Sequence, residues 1–208
     1  MIDLPIGLRP ELAPLSWLLG VWEGIGVVAY RHTDAIPGAD DPNEGRVEFE
    51  FRQRLSFSHD GLACLNYQAT TWVLGADETP LSTEVGFWRM ARLPEPGDPG
   101  PGLLLGEGVA PFGSAQAVEA LRRPHGGFDI EASIVHPDGI TELYVGRVHG
   151  PRIDLATDAV VRSTSARPYT GATRLFGLVE GHLLWAWDIA ANGNDLRTHA
   201  SARLAKVD

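Results

Sequence analysis

The sequence predicts an all-β protein, an antiparallel up-and-down β-barrel of about ten strands preceded by a short N-terminal helix. Apolar side chains alternate with charged ones across residues 47–57, which places one face of a strand in the core and the other in solvent. Turn residues such as Asp60-Gly61 and Glu180-Gly181 separate this segment from others of the same kind. A long meander of consecutive hairpins removes its exposed edges by closing into a barrel.

The predicted helix lies between Pro10 and Gly20, with leucines at helical spacing between them. Pro10 suits the first helical turn, and Gly20 suits the position after the last one. Alternation with period two then predicts strands over the following ranges: 47–57, 62–73, 84–91, 128–135, 140–148, 152–160, 172–179, 182–190 and 197–204. The residues from Val21 to Tyr30 would form the strand that enters the barrel.

Residues 91–127 interrupt this rhythm. Proline and glycine are so dense between residues 93 and 102 that no regular element is expected there, whereas residues 103–105 and 115–121 are apolar enough to add strands. We expect residues 1–208 to form one domain, in which the insert at about 91–127 is an extended hairpin or a loop at the barrel rim. A long rim loop would be able to cover the mouth of the barrel.

Composition restricts the partners. The formal net charge of -10, with no basic patch, disfavours nucleic acid and anionic membranes. No apolar run approaches the roughly 18 residues of a membrane span. The single cysteine, Cys64, cannot form an internal disulfide, and no secretory leader is recognisable, so a cytoplasmic location is expected. A small molecule remains as the predicted ligand.

His199, one of seven histidines, lies on the last predicted strand of a barrel that can enclose a ligand. Imidazole is neutral near pH 7 and can bind iron through one ring nitrogen. The other histidines show no paired spacing of the kind that binds zinc. A histidine near a chain end is otherwise an ordinary polar strand residue.

A series of motifs adds a family resemblance. Residues 20–26, Gly20-Val21-Trp22-Glu23-Gly24-Ile25-Gly26, have the form GxWxGxG directly after the predicted helix. Further matching segments follow in order at residues 57–61, 71–72, 84–89, 136–139, 153–159 and 198–202. Together they cover nearly the whole chain except the insert, and the chain resembles the nitrobindin family of haem-binding β-barrels.

The resemblance implies that His199 is the proximal ligand of a haem b whose iron is mostly ferric. It also implies weak or reversible binding of nitric oxide and isomerisation of peroxynitrite to nitrate, which would make the chain a peroxynitrite isomerase. The implied cofactor-binding residues are Gly20, Trp22, Gly24, Gly26, His32, Thr33 and His199. The chain departs from the family at Val28 and at residues 30–33, where many members have a further glycine and a Tyr-Pro-Thr-Ile run.

Two function classes stay open. In the first, iron performs the chemistry and the barrel excludes water. In the second, a haem-free barrel binds a fatty acid or another small apolar ligand by burying its surface. The sequence also leaves open whether two barrels pair as a homodimer.

Strand phase tests the direction of His199. If its side chain points inward, simple alternation also turns Ser201 and Arg203 inward, and an arginine in an apolar cavity is costly without a partner. A bulge near Ala200, or a position at the barrel mouth, would remove this conflict. His59 is expected to shape the turn at Asp60-Gly61 rather than to lie over the iron, and Trp185 and Trp187 are expected to pack as ordinary barrel residues.

Overall fold

The computed structural model describes residues 6–31, 46–75, 77–191 and 195–207. Its strands are β1 (Gly20–Arg31), β2 (Arg46–Ser58), β3 (Leu65–Val73), β4 (Thr79–Met90), β5 (Phe128–Val135), β6 (Ile140–His149), β7 (Arg152–Arg162), β8 (Tyr169–Val179), β9 (His182–Ala191) and β10 (Arg197–Lys206). A 3-10 helix, Pro10–Leu18, precedes β1, and a short helix α1, Ala115–Val118, continues into a 3-10 turn, Glu119–Leu121. Within the described ranges, no helix is long and apolar enough to cross a membrane.

The ten strands form one closed barrel. Each strand pairs antiparallel with its neighbours along the chain, and β1 closes the sheet by pairing with β10. The predicted up-and-down barrel is therefore confirmed, with the strand ends differing by a few residues from the predicted ones. Closure gives each of the ten strands a neighbour on both sides, so none is an edge strand over its full length.

The 3-10 helix closes one end of the barrel, where β1 begins and β10 ends. Leu12, Leu15 and Leu18 have no exposed surface, and each such burial stabilises the fold by about 1.5–3 kcal/mol. The indole Nε1 of Trp22 donates a hydrogen bond to the Leu18 carbonyl at 2.7 Å and joins the helix to β1. Pro14 lies inside the helix and lacks an N–H, which disfavours a regular α-helix here.

The insert lies at this closed end, because β4 ends and β5 begins there. Phe112 and Val118 are buried in the same apolar cluster as the 3-10 helix. The insert therefore does not cover the open mouth of the barrel, which its length had left possible. Its apolar segments also do not form strands: residues 103–105 are exposed loop, and Ser114 caps α1 by accepting a hydrogen bond from the Ala117 amide.

Two glycines of the GxWxGxG motif allow β10 to approach β1 closely. A Cβ atom at Gly24 would overlap the Arg203 carbonyl oxygen, and one at Gly26 would overlap the Phe51 ring and lie 2.5 Å from the Ser201 oxygen. The motif is thus required by the closure of the barrel, independently of any ligand.

Candidate functional site

His199 is the extra residue of a β-bulge in β10. Thr198 pairs with Asp188 and Ala200 pairs with Trp187, so the register with β9 shifts between them. A bulge changes the phase of a strand and redirects the side chain at the extra position. His199 contacts Trp187, whose neighbours across the sheet, Ala200 and Arg174, are both 5% exposed. His199 therefore faces the interior.

The bulge also resolves the conflict over Arg203. Beyond it, Ala200 and Leu204 are buried, whereas Ser201 and Arg203 lie on the outer face. The Arg203 guanidinium Nη2 lies 3.2 Å from Nδ1 of His182 on that outer surface. The simple alternation that placed Arg203 inside is wrong, because the extra residue at position 199 reverses the phase.

Two aromatic rings surround the His199 imidazole. The Trp187 ring meets it edge-on, with centroids 5.7 Å apart and planes at 85°, and the Tyr30 ring centroid lies 6.2 Å away. Burial lowers the pKa of His199 below its ordinary value of 6.5, so the ring is neutral at pH 7. No hydrogen bond from the described residues occupies either ring nitrogen. The imidazole is therefore available to bind a metal.

Trp187 itself lies between this histidine and a set of buried polar groups. The Arg174 guanidinium is 4.2 Å from the centre of the Trp187 ring, and the His136 ring stacks against it at 6.0 Å and 13°. The Trp187 indole Nε1 is buried without a hydrogen-bond partner among the described residues. A buried donor of this kind is costly unless an acceptor reaches it.

Glu142 is the centre of these polar groups and has no exposed surface. Its Oε1 accepts hydrogen bonds from the hydroxyls of Tyr144 (2.7 Å) and Tyr169 (2.6 Å), and its Oε2 lies 2.8 Å from Nε2 of His136. Burial would raise the pKa of Glu142, but these bonds and the Arg174 charge outweigh it and lower the pKa. The carboxylate is therefore ionised at pH 7.

Arg174 compensates the buried carboxylates. Its Nη2 forms an ion pair with Oε2 of Glu84 at 2.8 Å and lies 3.7 Å from Oε2 of Glu142. Its Nε donates to the Tyr144 hydroxyl at 3.0 Å. We call Glu84, His136, Glu142, Tyr144, Tyr169 and Arg174 the interior polar network.

The structure separates the residues that the sequence predicted for cofactor binding. Gly20 and Trp22 lie at the closed end, and Gly24 follows them along β1 toward the open end. Gly26 pairs with Ala202, close to the bulge. His32 and Thr33 lie outside the described residues. A cofactor-binding role for these residues stays a prediction.

His59 lies at the closed end and serves the turn, as the sequence predicted. Its Nδ1 accepts a hydrogen bond from the Gly61 amide at 3.4 Å. His199 lies near the start of β10, at the opposite end of the barrel from His59. His59 is thus not placed to face a ligand bound at His199.

Sequence reasoning missed the interior polar network. Arg174 lies in phase with the inward residues Ala172 and Phe176, and Glu142 lies in phase with Ile140 and Tyr144. A charged residue in phase with buried apolar ones was the available signal. Trp187 was expected to be ordinary packing, but it contacts both His199 and Arg174.

The site does not suit a bare metal ion. Among the described residues, no group of three or more histidine, cysteine, aspartate or glutamate side chains is arranged to hold one. A single histidine suffices only when a cofactor supplies the remaining ligands, as a porphyrin does. The neutral imidazole of His199 and the indole N–H of Trp187, neither of which has a hydrogen-bond partner among the described residues, fit such a group.

A closed antiparallel barrel in which His199 points inward beside aromatic side chains, with neither ring nitrogen hydrogen-bonded to the described residues, has the architecture of a haem-binding β-barrel. A family model described as the THAP4-like, heme-binding beta-barrel domain matches residues 11–206, and the chain belongs to this family. The resemblance to nitrobindins is thereby confirmed, and haem is the cofactor.

Relatives at high identity carry one activity name. The chain is 61% identical over 208 residues to a protein named peroxynitrite isomerase from Leifsonia xyli subsp. xyli, covering 100% of both chains. It is 57% identical over 209 residues to another of that name from Clavibacter michiganensis subsp. michiganensis, also covering 100% of both. The crystal structure of Rv2717c from M. tuberculosis is similar with a TM-score of 0.66 and 25% identity, over 97% of this chain and 99% of that one.

Proposed function

We propose that this protein binds haem b as ferric haem through His199 and isomerises peroxynitrite to nitrate. The observation that carries the proposal is the β-bulge, which turns a neutral imidazole without hydrogen-bond partners among the described residues into the barrel. The relatives named peroxynitrite isomerase cover the full chain at high identity, which supports the same activity here.

Ferric haem held by one histidine supplies an open coordination position for a small ligand. Peroxynitrite and nitrate contain the same atoms and carry the same charge, so the isomerisation needs no net proton or electron from the protein. The chain's residues therefore have to bind and orient rather than act as acid and base. His199 would hold the iron, and the rings of Tyr30 and Trp187, which contact its imidazole, would orient it.

Absorbance and product analysis test the proposal together. Titration of the protein with ferric haem is expected to give an intense Soret band, and the complex is expected to convert peroxynitrite mainly to nitrate. His199→Ala should lose tight haem binding and this conversion. His59→Ala is the matched control, because His59 serves only a turn at the closed end. Unchanged haem binding in His199→Ala would overturn the proposal.

Nitric oxide is proposed as a second ligand of the same iron position. It should bind reversibly and compete with peroxynitrite, because both require the open side of the haem. Stopped-flow measurement of peroxynitrite decay at rising nitric oxide concentration, under exclusion of oxygen, checks this competition. Unaffected decay at saturating nitric oxide would contradict it.

Aromatic side chains fill the barrel near its closed end, and they argue against the alternative of a haem-free lipid carrier. The Trp88 ring is fully buried and contacts Phe57 and Phe176, each at a centroid distance of 5.3 Å. A fatty acid along the barrel axis would have to displace these rings or lie against the interior polar network. No specific contact favours it.

A homodimer is proposed through the outer face of β1, β8, β9 and β10. This face has an apolar groove of about 680 Å³, with Ile25, Leu175 and Val179 exposed on it and Arg152 and Arg203 at its edge. In a symmetric pair this face meets its own counterpart, so the exposed apolar side chains of the two copies would cover one another. Ile25→Glu should convert a dimer to a monomer in sedimentation equilibrium. A monomeric wild type would refute the pairing.

We also propose a cytoplasmic location, because the one cysteine, Cys64, is free and suits a reducing compartment. Cell fractionation with an antibody against the chain checks it. Recovery outside the cytoplasmic fraction would contradict this proposal.

A further inference from the structure

Among the residues that the structure describes, none gives His199 the support that an iron-binding histidine usually has. Such a histidine normally donates its second ring N–H to a carboxylate or a carbonyl, which fixes the ring plane. In the described part of the chain no acceptor is hydrogen-bonded to His199, and its aromatic contacts are with Trp187 and Tyr30. These aromatic contacts are therefore the candidates for fixing the orientation of the imidazole.

Trp187 is the more constrained of these two aromatic neighbours. Tyr30 is 37% exposed, whereas Trp187 is contacted by Arg174 across the sheet and by His136 from the opposite wall. A buried indole is usually held through its N–H. The Nε1 of Trp187 has no such partner among the described residues, so the contacts on its ring fix its position.

The two residues that contact Trp187 are themselves fixed by buried carboxylates. Arg174 is held by Glu84 and Glu142, and His136 is held by Glu142. Burying two carboxylates and one guanidinium is expensive, and such groups often give no net stability over an apolar core. What these groups provide is a fixed geometry, because each charged group has a defined partner at a defined distance.

We propose that Trp187 is a positioning residue that sets the ring plane of His199, and that the interior polar network holds Trp187 in place. This inference rests on the proposed binding of haem through His199. It predicts that loss of the indole leaves His199 present but free to rotate. Haem then binds in several orientations, and more weakly.

Trp187→Leu is the central variant, and Trp185→Leu is its matched control. Trp185 lies on the same strand and the same face, but it packs on Phe51 and donates to Gln53 instead of contacting His199. Ferric haem titration should show an affinity loss of about 10-fold for Trp187→Leu, in the range for lost supporting contacts. Trp185→Leu should leave the haem affinity unchanged, because the Trp185 ring packs on Phe51 and not on His199.

Two spectroscopic measurements distinguish positioning from general destabilisation. The ferric haem signal in low-temperature electron paramagnetic resonance should be a single species in wild type and heterogeneous in Trp187→Leu. In the haem-free protein, the ring resonances of ¹⁵N-labelled His199 should be sharp in wild type and averaged or broadened in the variant. Thermal unfolding of each variant shows that it is folded.

His136→Leu provides a second test should Trp187→Leu fail to fold. It removes the ring stacked on Trp187 but leaves the indole in place, and we expect the same heterogeneity with an affinity loss of about threefold. A homogeneous ferric signal and wild-type affinity in the folded variants would overturn the positioning role.

His199→Ala separates the two proposals. If His199→Ala binds haem as wild type does, the proposed function itself fails. If His199→Ala loses haem while Trp187→Leu and His136→Leu behave as wild type, only the positioning role fails.

Discussion

Glu142 and His136 form a buried pair beneath the candidate haem site, with Oε2 of the carboxylate 2.8 Å from Nε2 of the imidazole. The Glu142 side chain has no exposed surface, and that of His136 is 10% exposed. Because Tyr144 and Tyr169 donate to the other carboxylate oxygen, both oxygens of Glu142 are hydrogen-bonded. The pair joins the site to the core of the barrel.

Glu142→Gln is expected to lower the free energy of unfolding by about 3 kcal/mol, because it leaves the buried Arg174 with one compensating carboxylate instead of two. Urea unfolding followed by tryptophan fluorescence measures the change. Glu131→Gln is the control, since its ion pair with the exposed Arg89 is worth no more than about 1 kcal/mol. Similar losses in both variants would contradict a structural role for the buried charge.

The stability of the haem-free protein should depend on His199 in weakly acidic solution. The folded state lowers the pKa of His199, so the unfolded chain binds more protons once the pH falls below its ordinary value of 6.5. Stability therefore falls as the pH falls through this range. Glu142, whose folded pKa is also lowered, contributes its own loss only below its ordinary value of 4.5.

Chemical unfolding of wild type and His199→Asn between about pH 7.5 and about pH 5.5 checks this dependence. The difference in unfolding free energy between the two proteins should shift against wild type as the pH falls. A difference that is constant over the range would show that His199 titrates equally in the folded and unfolded chain.

Because of the bulge, substitutions at the neighbouring residues Ala202 and Arg203 are expected to differ in their effect on the free energy of unfolding. Arg203→Gln should change the unfolding free energy by no more than about 0.5 kcal/mol and leave haem affinity unchanged, because Arg203 lies on the outer face. Ala202→Gln should cost about 1–3 kcal/mol, because Ala202 faces Phe51 and the Gly26 backbone. The reverse result would indicate simple alternation without a bulge at His199.

We propose that the insert and the barrel form a single domain, and substitution of Asp98 in the insert tests this. The Nη1 and Nη2 atoms of Arg92 each donate to the Asp98 carboxylate at 2.6 Å, and these bonds lower the pKa of Asp98 to about 2. Asp98→Asn should lower the unfolding free energy by about 1–2 kcal/mol at pH 7. In wild type this contribution is present above the ordinary value of 3.8 and is lost as the pH falls through about 2.

Differential scanning calorimetry measures the unfolding transitions of wild type and Asp98→Asn. One domain gives a single transition that moves to lower temperature in the variant. A separate, earlier transition for the insert, with the barrel transition unmoved, would contradict the single domain.

The barrel was predictable because its signals are local. Alternation across residues 47–57 and turn pairs such as Asp60-Gly61 depend on near neighbours alone, and the strands lie where these patterns predict them. The location of the insert depends on which end of the barrel β4 reaches. Counting strands from the N-terminal helix would have given the closed end, but the length of the insert suggested a cover for the mouth.

The candidate site was predictable only in part. His199 was identified through the family resemblance, but its direction depends on how β10 pairs with β9 at Thr198 and Ala200. No residue type in β10 indicates this change of register. Likewise, the contact of His136 with Trp187 joins opposite walls of the barrel, and such pairs follow only from the closed fold.

The most direct test of the account is rescue of a histidine cavity. His199→Gly should lose tight haem binding, and added imidazole should restore it together with the wild-type Soret band. In the ferrous proteins, the iron–imidazole stretch in resonance Raman spectra should shift on ¹⁵N-labelling of histidine in wild type, and on ¹⁵N-labelling of the added imidazole in the variant. Tight haem binding by His199→Gly without imidazole, with an unchanged iron–histidine band, would contradict ligation by His199.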